Sequence, residues 1–204
     1  KFYDVAHTPE ILDYVEDLLG PNFYLWGGQF FYKPALSKSI VPWHQDSQYW
    51  PLEPSNSVTV WLAVYDTDEK NSAMKIISGS HKDKIYLHNE NTNENYILNQ
   101  EVSNNQIDQN KIVYMNLKAG EISLHSDALL HGSDKNNSNL PRCGITLRYS
   151  PSNVKANLSK WPHFSIQVAR GDKNHTLNPV APVPRGEATP IKGFQFHQEF
   201  ESQW

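Results

Sequence analysis

Cysteine is almost absent from this chain of 204 residues, in which Cys143 is the single example. One cysteine excludes an internal disulfide and any metal site built from several thiolates, and it indicates a reducing, cytoplasmic setting. Long apolar runs are missing as well, since no stretch approaches the roughly 18 apolar residues of a membrane-spanning helix. The sequence therefore predicts a cytoplasmic protein without membrane contact.

An excess of positive charge is also missing. Lys and Arg total 18 and Asp and Glu total 22, so the formal net charge is −4. A mildly acidic chain lacks the basic surface that non-specific nucleic-acid binding requires, which predicts no nucleic-acid partner. Residues 1–11 lack the basic-then-apolar pattern of a secretory leader, and because the chain does not begin with Met we expect a trimmed N-terminus.

The pattern of apolar residues predicts one helix followed by many short strands. Residues 8–19 form a helical apolar stripe with Pro9 in the first turn, and Gly20 ends it. The apolar period then becomes two, and strands are predicted at residues 22–32, 58–65, 74–77, 111–117, 121–124 and 143–149. The run at 58–65 is almost continuously apolar, as in a strand that is covered on both faces. We expect a mainly β fold with a sandwich or barrel-like core, in a single domain spanning residues 1–204.

One segment departs from this pattern. Residues 89–110 hold eight Asn and three Gln among 22 residues. Such a composition buries little apolar surface, so we expect a long polar loop or lid at about residues 82–111. The alternative is a passive insertion, and the sequence does not choose between the two.

The segment His44-Gln45-Asp46 carries the first chemical signal. If it lies on a strand, the side chains of His44 and Asp46 project to the same face, because side chains alternate. One imidazole and one carboxylate can then occupy two adjacent positions of an octahedral metal, and a second histidine would complete the two-histidine, one-carboxylate site that favours Fe(II). The alternative is a surface histidine and a turn aspartate ahead of Pro51.

Two histidines are candidates for the third ligand. His125 and His131 are six residues apart, so strand parity does not separate them. Pairing His131 with Arg142 across an antiparallel hairpin puts residues 136–137, both Asn, at a two-residue turn. In that register His131, Ser133 and Arg142 share one face. A metal ligand, a hydroxyl and a guanidinium fork together suit a dicarboxylate that chelates the metal at one end and meets the arginine at the other.

These residues carry a resemblance to a known family. The chain resembles the phytanoyl-CoA dioxygenase (PhyH) family of Fe(II)/2-oxoglutarate oxygenases over about residues 23–170. The resemblance rests on three ordered motifs, HQDSQYWPLEPSNSVTVWLAV at 44–64, NSAMKIISGSH at 71–81 and AGEISLHSDALLHGSDKNNSNLPR at 119–142. In the family, Gly-Ser follows the second histidine and an arginine comes eleven residues after it. His131, Gly132, Ser133 and Arg142 match this pattern.

The resemblance implies the fold and the cofactors. It implies a double-stranded β-helix, the jelly-roll or cupin-like core, with flanking helices. It makes His44, Asp46 and His131 the iron ligands and the catalytic residues, and it assigns Arg142 and Ser133 to the distal carboxylate of 2-oxoglutarate. The implied cofactors are Fe(II), the cosubstrate 2-oxoglutarate, and O₂.

Five further residues are assigned to the site with alternatives left open. Trp61 lies near the aromatic residue that the family places beside the cosubstrate, or it packs in the core. Gln29 lies on the strand that faces the site. Tyr49 and Trp50 line the substrate pocket, or they are a packed aromatic pair. Arg148 faces the same side as Arg142 and either meets an anionic substrate or pairs with a structural carboxylate.

The implied activity is that of a dioxygenase. The enzyme would hydroxylate an aliphatic C–H bond of a small-molecule substrate and release succinate and CO₂, as a monomer or homodimer. Halogenating relatives of the family carry a small residue where Asp46 stands, so this carboxylate favours hydroxylation. The alternative from another class is a non-catalytic jelly-roll protein that binds a metal or a small molecule.

Overall fold

The computed structural model describes residues 2–82 and 85–184. Two helices come first, α1 (Phe2–Ala6) and α2 (Pro9–Leu19). The helix expected at 8–19 is confirmed, with Thr8 at its N-cap position. Helix α1 has only five residues and was not predicted. Within the described ranges, no helix is long and apolar enough to cross a membrane.

Strands make up most of the remaining regular structure. In chain order they are β1 (Phe23–Lys33), β2 (Val41–His44), β3 (Leu52–Glu53), β4 (Val58–Ala63), β5 (Lys75–Ile77), β6 (His88–Glu90), β7 (Gln100–Val102), β8 (Ile112–Tyr114), β9 (Ile122–Ser126), β10 (His131–Ser133), β11 (Arg142–Pro151), β12 (Lys155–Ala156) and β13 (Gln167–Arg170). All six predicted strands are present. Their ends differ by a few residues, because the strand ends have weak local signals.

Two antiparallel sheets form the core. The major sheet has the strand order β13-β1-β11-β4-β9, and the minor sheet has the order β2-β10-β5-β8. Most connections between the strands of these two sheets pass from one sheet to the other. Side chains from both sheets line one pocket between them. This mainly β, jelly-roll arrangement confirms the expected double-stranded β-helix with flanking helices.

The centre of the major sheet is covered on both faces. All ten residues of β11 are buried, and so are five of the six residues of β4. On one face, Val60 and Leu147 pack against the apolar stripe of α2, including Ile11 and Val15. The opposite face lines the pocket. The expectation of a doubly covered strand is thus confirmed for residues 58–63, whereas Tyr65 lies beyond the strand and is exposed.

The predicted hairpin between His131 and Arg142 is wrong. His131 lies on β10 of the minor sheet and pairs with His44 on β2. Arg142 begins β11 of the major sheet and pairs with Lys33 on β1. The two residues therefore face each other across the pocket instead of lying side by side on one sheet.

The connection between these two strands explains the error. Asn136, which was placed at an exposed two-residue turn, is buried. Its side-chain amide donates hydrogen bonds to the carbonyl oxygens of Pro34 and Leu140 at 2.9 and 2.8 Å. The asparagine fixes a crossing loop between sheets, a role that its preference for turns does not reveal.

The Asn-rich segment is more ordered than a plain loop. Strands β6 and β7 within it form an antiparallel hairpin. Val102 is fully buried and packs with Trp43 and Leu130 on the outer side of the minor sheet. The domain bounds of 1–204 and the lid at 82–111 include residues outside the described ranges, and both stay predictions.

Candidate active site

Three candidate metal ligands meet at one edge of the minor sheet. His44 is the last residue of β2, and His131 is the first residue of β10. The two histidines are direct cross-strand partners, which brings their ring centroids to 4.1 Å. Asp46 joins them, and one ligand atom from each of the three residues lies within 4.8 Å of the other two.

Asp46 does not lie on a strand, although the sequence argument for a shared face assumed that it did. It begins a 3-10 turn (Asp46–Gln48) directly after β2. Gln45 between them keeps an extended backbone, with φ −114° and ψ 130°, so the side chains of His44 and Asp46 still project to one side. Asp46 Oδ1 lies 3.6 Å from His44 Nε2 and 3.9 Å from His131 Nε2.

Both histidines are oriented by the same local device. His44 Nδ1 is 2.9 Å from the carbonyl oxygen of Pro42, and His131 Nδ1 is 2.8 Å from the carbonyl oxygen of Leu129. A carbonyl oxygen can only accept, so each Nδ1 carries the proton and each Nε2 keeps a lone pair. Because metal-ligating histidines commonly donate their other N–H in this way, the arrangement prepares both Nε2 atoms for a cation.

The pKa shifts of His131 and Asp46 favour the protonation states that a metal requires. Burial lowers the pKa of His131 to about 3, and the neighbouring His44 adds to the effect. Burial alone would raise the pKa of Asp46, but the close approach of His44 and the nearby His131 and Arg148 hold that pKa well below its usual value. Neutral imidazole and ionised carboxylate are the forms that bind metal.

His125 was the other candidate for the third ligand. It lies on β9 of the major sheet, and its ring centroid is 4.9 Å from that of His131. The cluster of ligand atoms contains His131 and not His125. Burial lowers the pKa of His125 to about 4, so its ring is neutral at physiological pH.

The cluster faces a pocket of about 110 Å³ between the two sheets. The site residues that the sequence singled out beyond the metal ligands all line it, namely Gln29, Tyr49, Trp50, Trp61, Ser133, Arg142 and Arg148. The Asn-rich segment contributes Ile97 and Leu98. The Tyr49 hydroxyl donates to the carbonyl oxygen of Gln100 at 3.2 Å, which connects the residues after the metal motif to β7.

One end of the pocket is cationic. Arg142 is 4% exposed, and its guanidinium carbon lies 4.9 Å from the centre of the Trp61 ring. Burial lowers the pKa of Arg142 to about 10, and its Nε has no hydrogen-bond partner among the described residues. The hydroxyl of Ser133 lies at the same end, where it accepts a hydrogen bond of 3.0 Å from Lys33 Nζ. A buried, incompletely bonded guanidinium beside a lysine fits an anionic ligand.

Lys33 is a buried neighbour of the site, in contact with Ser133, that the sequence reading missed. It ends β1 opposite Arg142, and its Nζ also donates to Ser72 Oγ at 2.8 Å. Burial lowers the pKa of Lys33 to about 7, the charge of Arg142 lowers it further, and Asp134 opposes the shift. The sequence did contain a signal for Lys33. It is four residues from Gln29, and residues an even number apart on a strand project to the same face.

The other end of the pocket holds Arg148, which is also buried. Its guanidinium carbon lies 5.3 Å from the ring centre of Trp50 and 5.7 Å from that of Trp26. Gln29 accepts a hydrogen bond of 3.2 Å from Arg148 Nη2. The structure therefore places Gln29 beside Arg148, whereas the sequence assigned it to the cosubstrate.

Gly144 leaves the space in which Trp61 lies against β11. A Cβ built on Gly144 would come within 2.1 Å of the Trp61 ring. We expect Gly144→Ala to destabilise the protein by about 1–3 kcal/mol and to weaken ligand binding at the Arg142 end, because the indole must move away from the guanidinium. Thermal unfolding and 2-oxoglutarate titration measure the two effects. Because the clashing ring is gone in Trp61→Ala, adding Gly144→Ala to that variant should cost little further stability. Equal stability of wild type and Gly144→Ala contradicts the expectation.

Comparison with known proteins places the chain in a family. The family model "Phytanoyl-CoA dioxygenase (PhyH)" matches residues 1–144, which is more than half of the chain. The chain belongs to the phytanoyl-CoA dioxygenase family. The match includes all three residues of the metal cluster and ends two residues after Arg142.

The family assignment is supported by individual relatives. A probable alpha-ketoglutarate-dependent hypophosphite dioxygenase of Stutzerimonas stutzeri is 29% identical over 160 residues, covering 78% of this chain and 54% of the relative. The peroxisomal phytanoyl-CoA dioxygenase of Bos taurus is 31% identical over 158 residues, covering 75% and 47%. The chain thus spans about half the length of these curated relatives. The apo structure of ThoJ, described as a non-heme monooxygenase, matches with a TM-score of 0.73 and 29% identity, covering 89% of this chain and 65% of ThoJ.

The residues present fit the two cofactors that the family resemblance implies. Two imidazoles and one carboxylate, whose ligand atoms lie within 4.8 Å of one another, suit Fe(II) and leave coordination positions for further ligands. The buried Arg142 Nε that lacks a partner among the described residues fits a carboxylate, and Lys33 lies behind Ser133 at the same end. In this PhyH family member, residues that can bind a metal and an arginine that can bind a ligand carboxylate therefore line a single pocket.

Proposed function

We propose that this chain carries the active site of an Fe(II)/2-oxoglutarate-dependent dioxygenase that hydroxylates an aliphatic C–H bond of a small metabolite. The observation that supports it best is that the cluster of His44, Asp46 and His131 opens into the same pocket as the buried Arg142. A metal site alone suits many reactions. A metal site facing a guanidinium suits a cosubstrate with two carboxylates.

In this proposal His44 Nε2, His131 Nε2 and Asp46 hold the iron. With 2-oxoglutarate and O₂, the iron supplies the oxidation, in which 2-oxoglutarate becomes succinate and CO₂ and one oxygen atom enters the substrate C–H bond. The protein fixes the ligands through the carbonyl oxygens of Pro42 and Leu129, which prevent the rings from turning. Asp46 supplies the single negative charge that offsets part of the charge of the metal.

The cationic end binds the distal carboxylate of 2-oxoglutarate. Arg142 meets it with two parallel N–H donors, and the hydroxyl of Ser133 adds a third donor. Trp61 packs under the guanidinium and restricts its movement. Lys33 holds Ser133 in place and adds positive charge. The site therefore selects a dicarboxylate over a monocarboxylate by charge at one end and by metal ligation at the other.

The substrate residues lie on the other side of the metal cluster. Tyr49 is within 6.0 Å of the His44 ring, measured between centroids, and Trp50 packs edge-on against Trp26 at 4.7 Å. These aromatic walls exclude water from the reacting centre. Arg148 completes this wall and adds a positive charge to it.

The proposal is tested by product analysis. Protein with Fe(II), 2-oxoglutarate and O₂ should release succinate, and a true substrate should raise that rate and consume one 2-oxoglutarate for each molecule oxidised. Mass spectrometry of the product should then show the addition of one oxygen atom. A folded, iron-loaded protein that forms no succinate with any compound of a metabolite panel would favour the non-catalytic binding protein instead.

Lys33 makes the affinity for 2-oxoglutarate depend on pH. The pKa of about 7 means that Lys33 is charged in the free protein below that pH and neutral above it. Because the dianion favours the charged form, binding above pH 7 takes up a proton, and Kd should rise by up to about tenfold per pH unit there while staying flat below pH 7. Calorimetric titration between pH 6 and 9 measures it. The variant Lys33→Met should lose this slope, and an unchanged slope would remove Lys33 from the cosubstrate site.

A further inference from the structure

Three polar side chains form a row across the major sheet beside the metal cluster. Arg148 on β11 is the direct partner of Thr59 on β4, and Thr59 is the direct partner of His125 on β9. Directly paired residues project to the same face of a sheet, so the three side chains line up. All three line the pocket, and they are 6%, 1% and 7% exposed, respectively.

The guanidinium of Arg148 is held in one orientation. Two indole rings, those of Trp26 and Trp50, lie 5.7 and 5.3 Å from its central carbon. Arg148 Nη2 donates a hydrogen bond of 3.2 Å to Gln29 Oε1. The Arg148 side chain extends over Gly27, which has no Cβ to obstruct it. A guanidinium fixed in this way is ready to bind an oxyanion, because little rotamer entropy is lost when a ligand binds.

Several polar atoms on the same pocket wall lack a hydrogen-bond partner among the described residues. Thr59 Oγ1, His125 Nδ1 and Trp50 Nε1 are buried and have no hydrogen-bond partner among the described residues. A buried polar atom without a partner costs free energy, so such atoms are rare unless a ligand or water completes them. Three of them on the wall of one pocket indicate a binding site for a polar group.

This site is separate from the cosubstrate end. Arg142 lies six residues before Arg148 on β11, which corresponds to about 20 Å of strand. The row that contains Arg148 ends at His125, whose ring centroid lies 4.9 Å from that of His131, which places the row on the metal side of the pocket. The pocket thus has one guanidinium at each end.

We propose that the substrate is a small anion, a carboxylate or phosphonate, whose charged group binds the Arg148 fork beside Thr59, His125 and Trp50. This inference rests on the proposed function, because it takes Arg142 to be occupied by the cosubstrate. Arg148 is then a specificity-determining residue, and the C–H bond to be oxidised lies between the anionic group and the metal cluster.

Anaerobic calorimetry with matched probes tests the proposal. Protein loaded with Fe(II) and 2-oxoglutarate is titrated with butyrate and methylphosphonate, and with their uncharged counterparts butyramide and dimethyl methylphosphonate. We expect at least one acid to bind at least about tenfold more tightly than its neutral counterpart. The two acids distinguish a carboxylate site from a phosphonate site. If neither acid binds more tightly than its counterpart, the proposal is overturned.

Variants assign the preference to Arg148. Arg148→Gln should weaken binding of the preferred acid by about 10- to 100-fold and leave its neutral counterpart unchanged. Thr59→Val, which keeps the side-chain shape, should weaken binding of the acid by about 2- to 10-fold. This variant replaces Arg148→Gln in the test if Arg148→Gln does not fold. Arg170→Gln is the control, since it removes the same charge from a surface ion pair with Asp13 and Glu16. Equal weakening of acid and neutral probes would show that Arg148 only supports Asp46, which overturns the proposal.

The same titration separates the two proposals. If 2-oxoglutarate binds but acids and neutral probes do not differ, the anionic substrate fails and the proposed function stands. If 2-oxoglutarate does not bind, the proposed function fails. The acids are then titrated into the protein with metal alone, where an Arg148-dependent preference still supports an anion site and its absence overturns one.

Discussion

His131→Ala is expected to lower Fe(II)-dependent succinate formation by more than about 100-fold. Loss of a residue that merely supports a metal ligand costs about 10- to 100-fold, and removal of the ligand itself costs more. In this variant only His44 and Asp46 remain of the three residues whose ligand atoms lie within 4.8 Å of one another. Initial rates at saturating Fe(II) and 2-oxoglutarate measure the effect.

The control for this variant is His163→Ala, which removes an exposed histidine far along the chain and should keep full activity. Circular dichroism should show that both variants are folded. Succinate formation by His131→Ala within a few-fold of wild type would remove His131 from the ligand set. His125→Ala would then test the neighbouring histidine.

Arg142→Gln is expected to raise the Kd for 2-oxoglutarate by at least about 100-fold while leaving the affinity for Fe(II) unchanged. Each hydrogen bond to a charged group contributes about 1.5–3 kcal/mol, and the guanidinium provides two. Arg142→Lys keeps the charge but loses the two parallel N–H donors of the guanidinium. Its affinity for 2-oxoglutarate should therefore lie between those of wild type and Arg142→Gln. Anaerobic calorimetry gives both constants. Wild-type affinity in Arg142→Gln would mean that the distal carboxylate binds elsewhere.

The strands and the metal motif could be predicted from the sequence because their signals are local. Runs of apolar residues located β1, β4 and β11, and alternation around His44 placed His44 and Asp46 on the same side. The same rule worked for Asp46 although it lies beyond the strand, because Gln45 keeps an extended backbone.

The pairing of strands could not be predicted in the same way. A three-residue strand such as β10 has too little pattern to choose its partners, so a short loop suggested a hairpin with β11. In the structure the chain crosses from one sheet to the other between Ser133 and Arg142. The conclusion that His131, Ser133 and Arg142 share a pocket survives, but they meet across two sheets.

Long-range contacts explain the remaining differences. Helix α1 is too short to show a period, and it is stabilised by distant packing, such as Phe2 against Gly28 and the Tyr149 hydroxyl donating to the Ala6 carbonyl. The Asn-rich segment is ordered because isolated apolar residues such as Val102 reach the core. Lys33 was missed because its burial depends on strands from other parts of the chain.

The most direct test of the central claim is an anaerobic titration of the metal-free protein with Fe(II) and 2-oxoglutarate, followed by visible absorption. A 2-oxo acid chelated to Fe(II) gives a charge-transfer band in this range. The account predicts a band in wild type, none in His44→Ala, and a band in Arg142→Gln that needs far more 2-oxoglutarate. A folded wild-type protein that shows no band at saturating Fe(II) and 2-oxoglutarate would contradict the account.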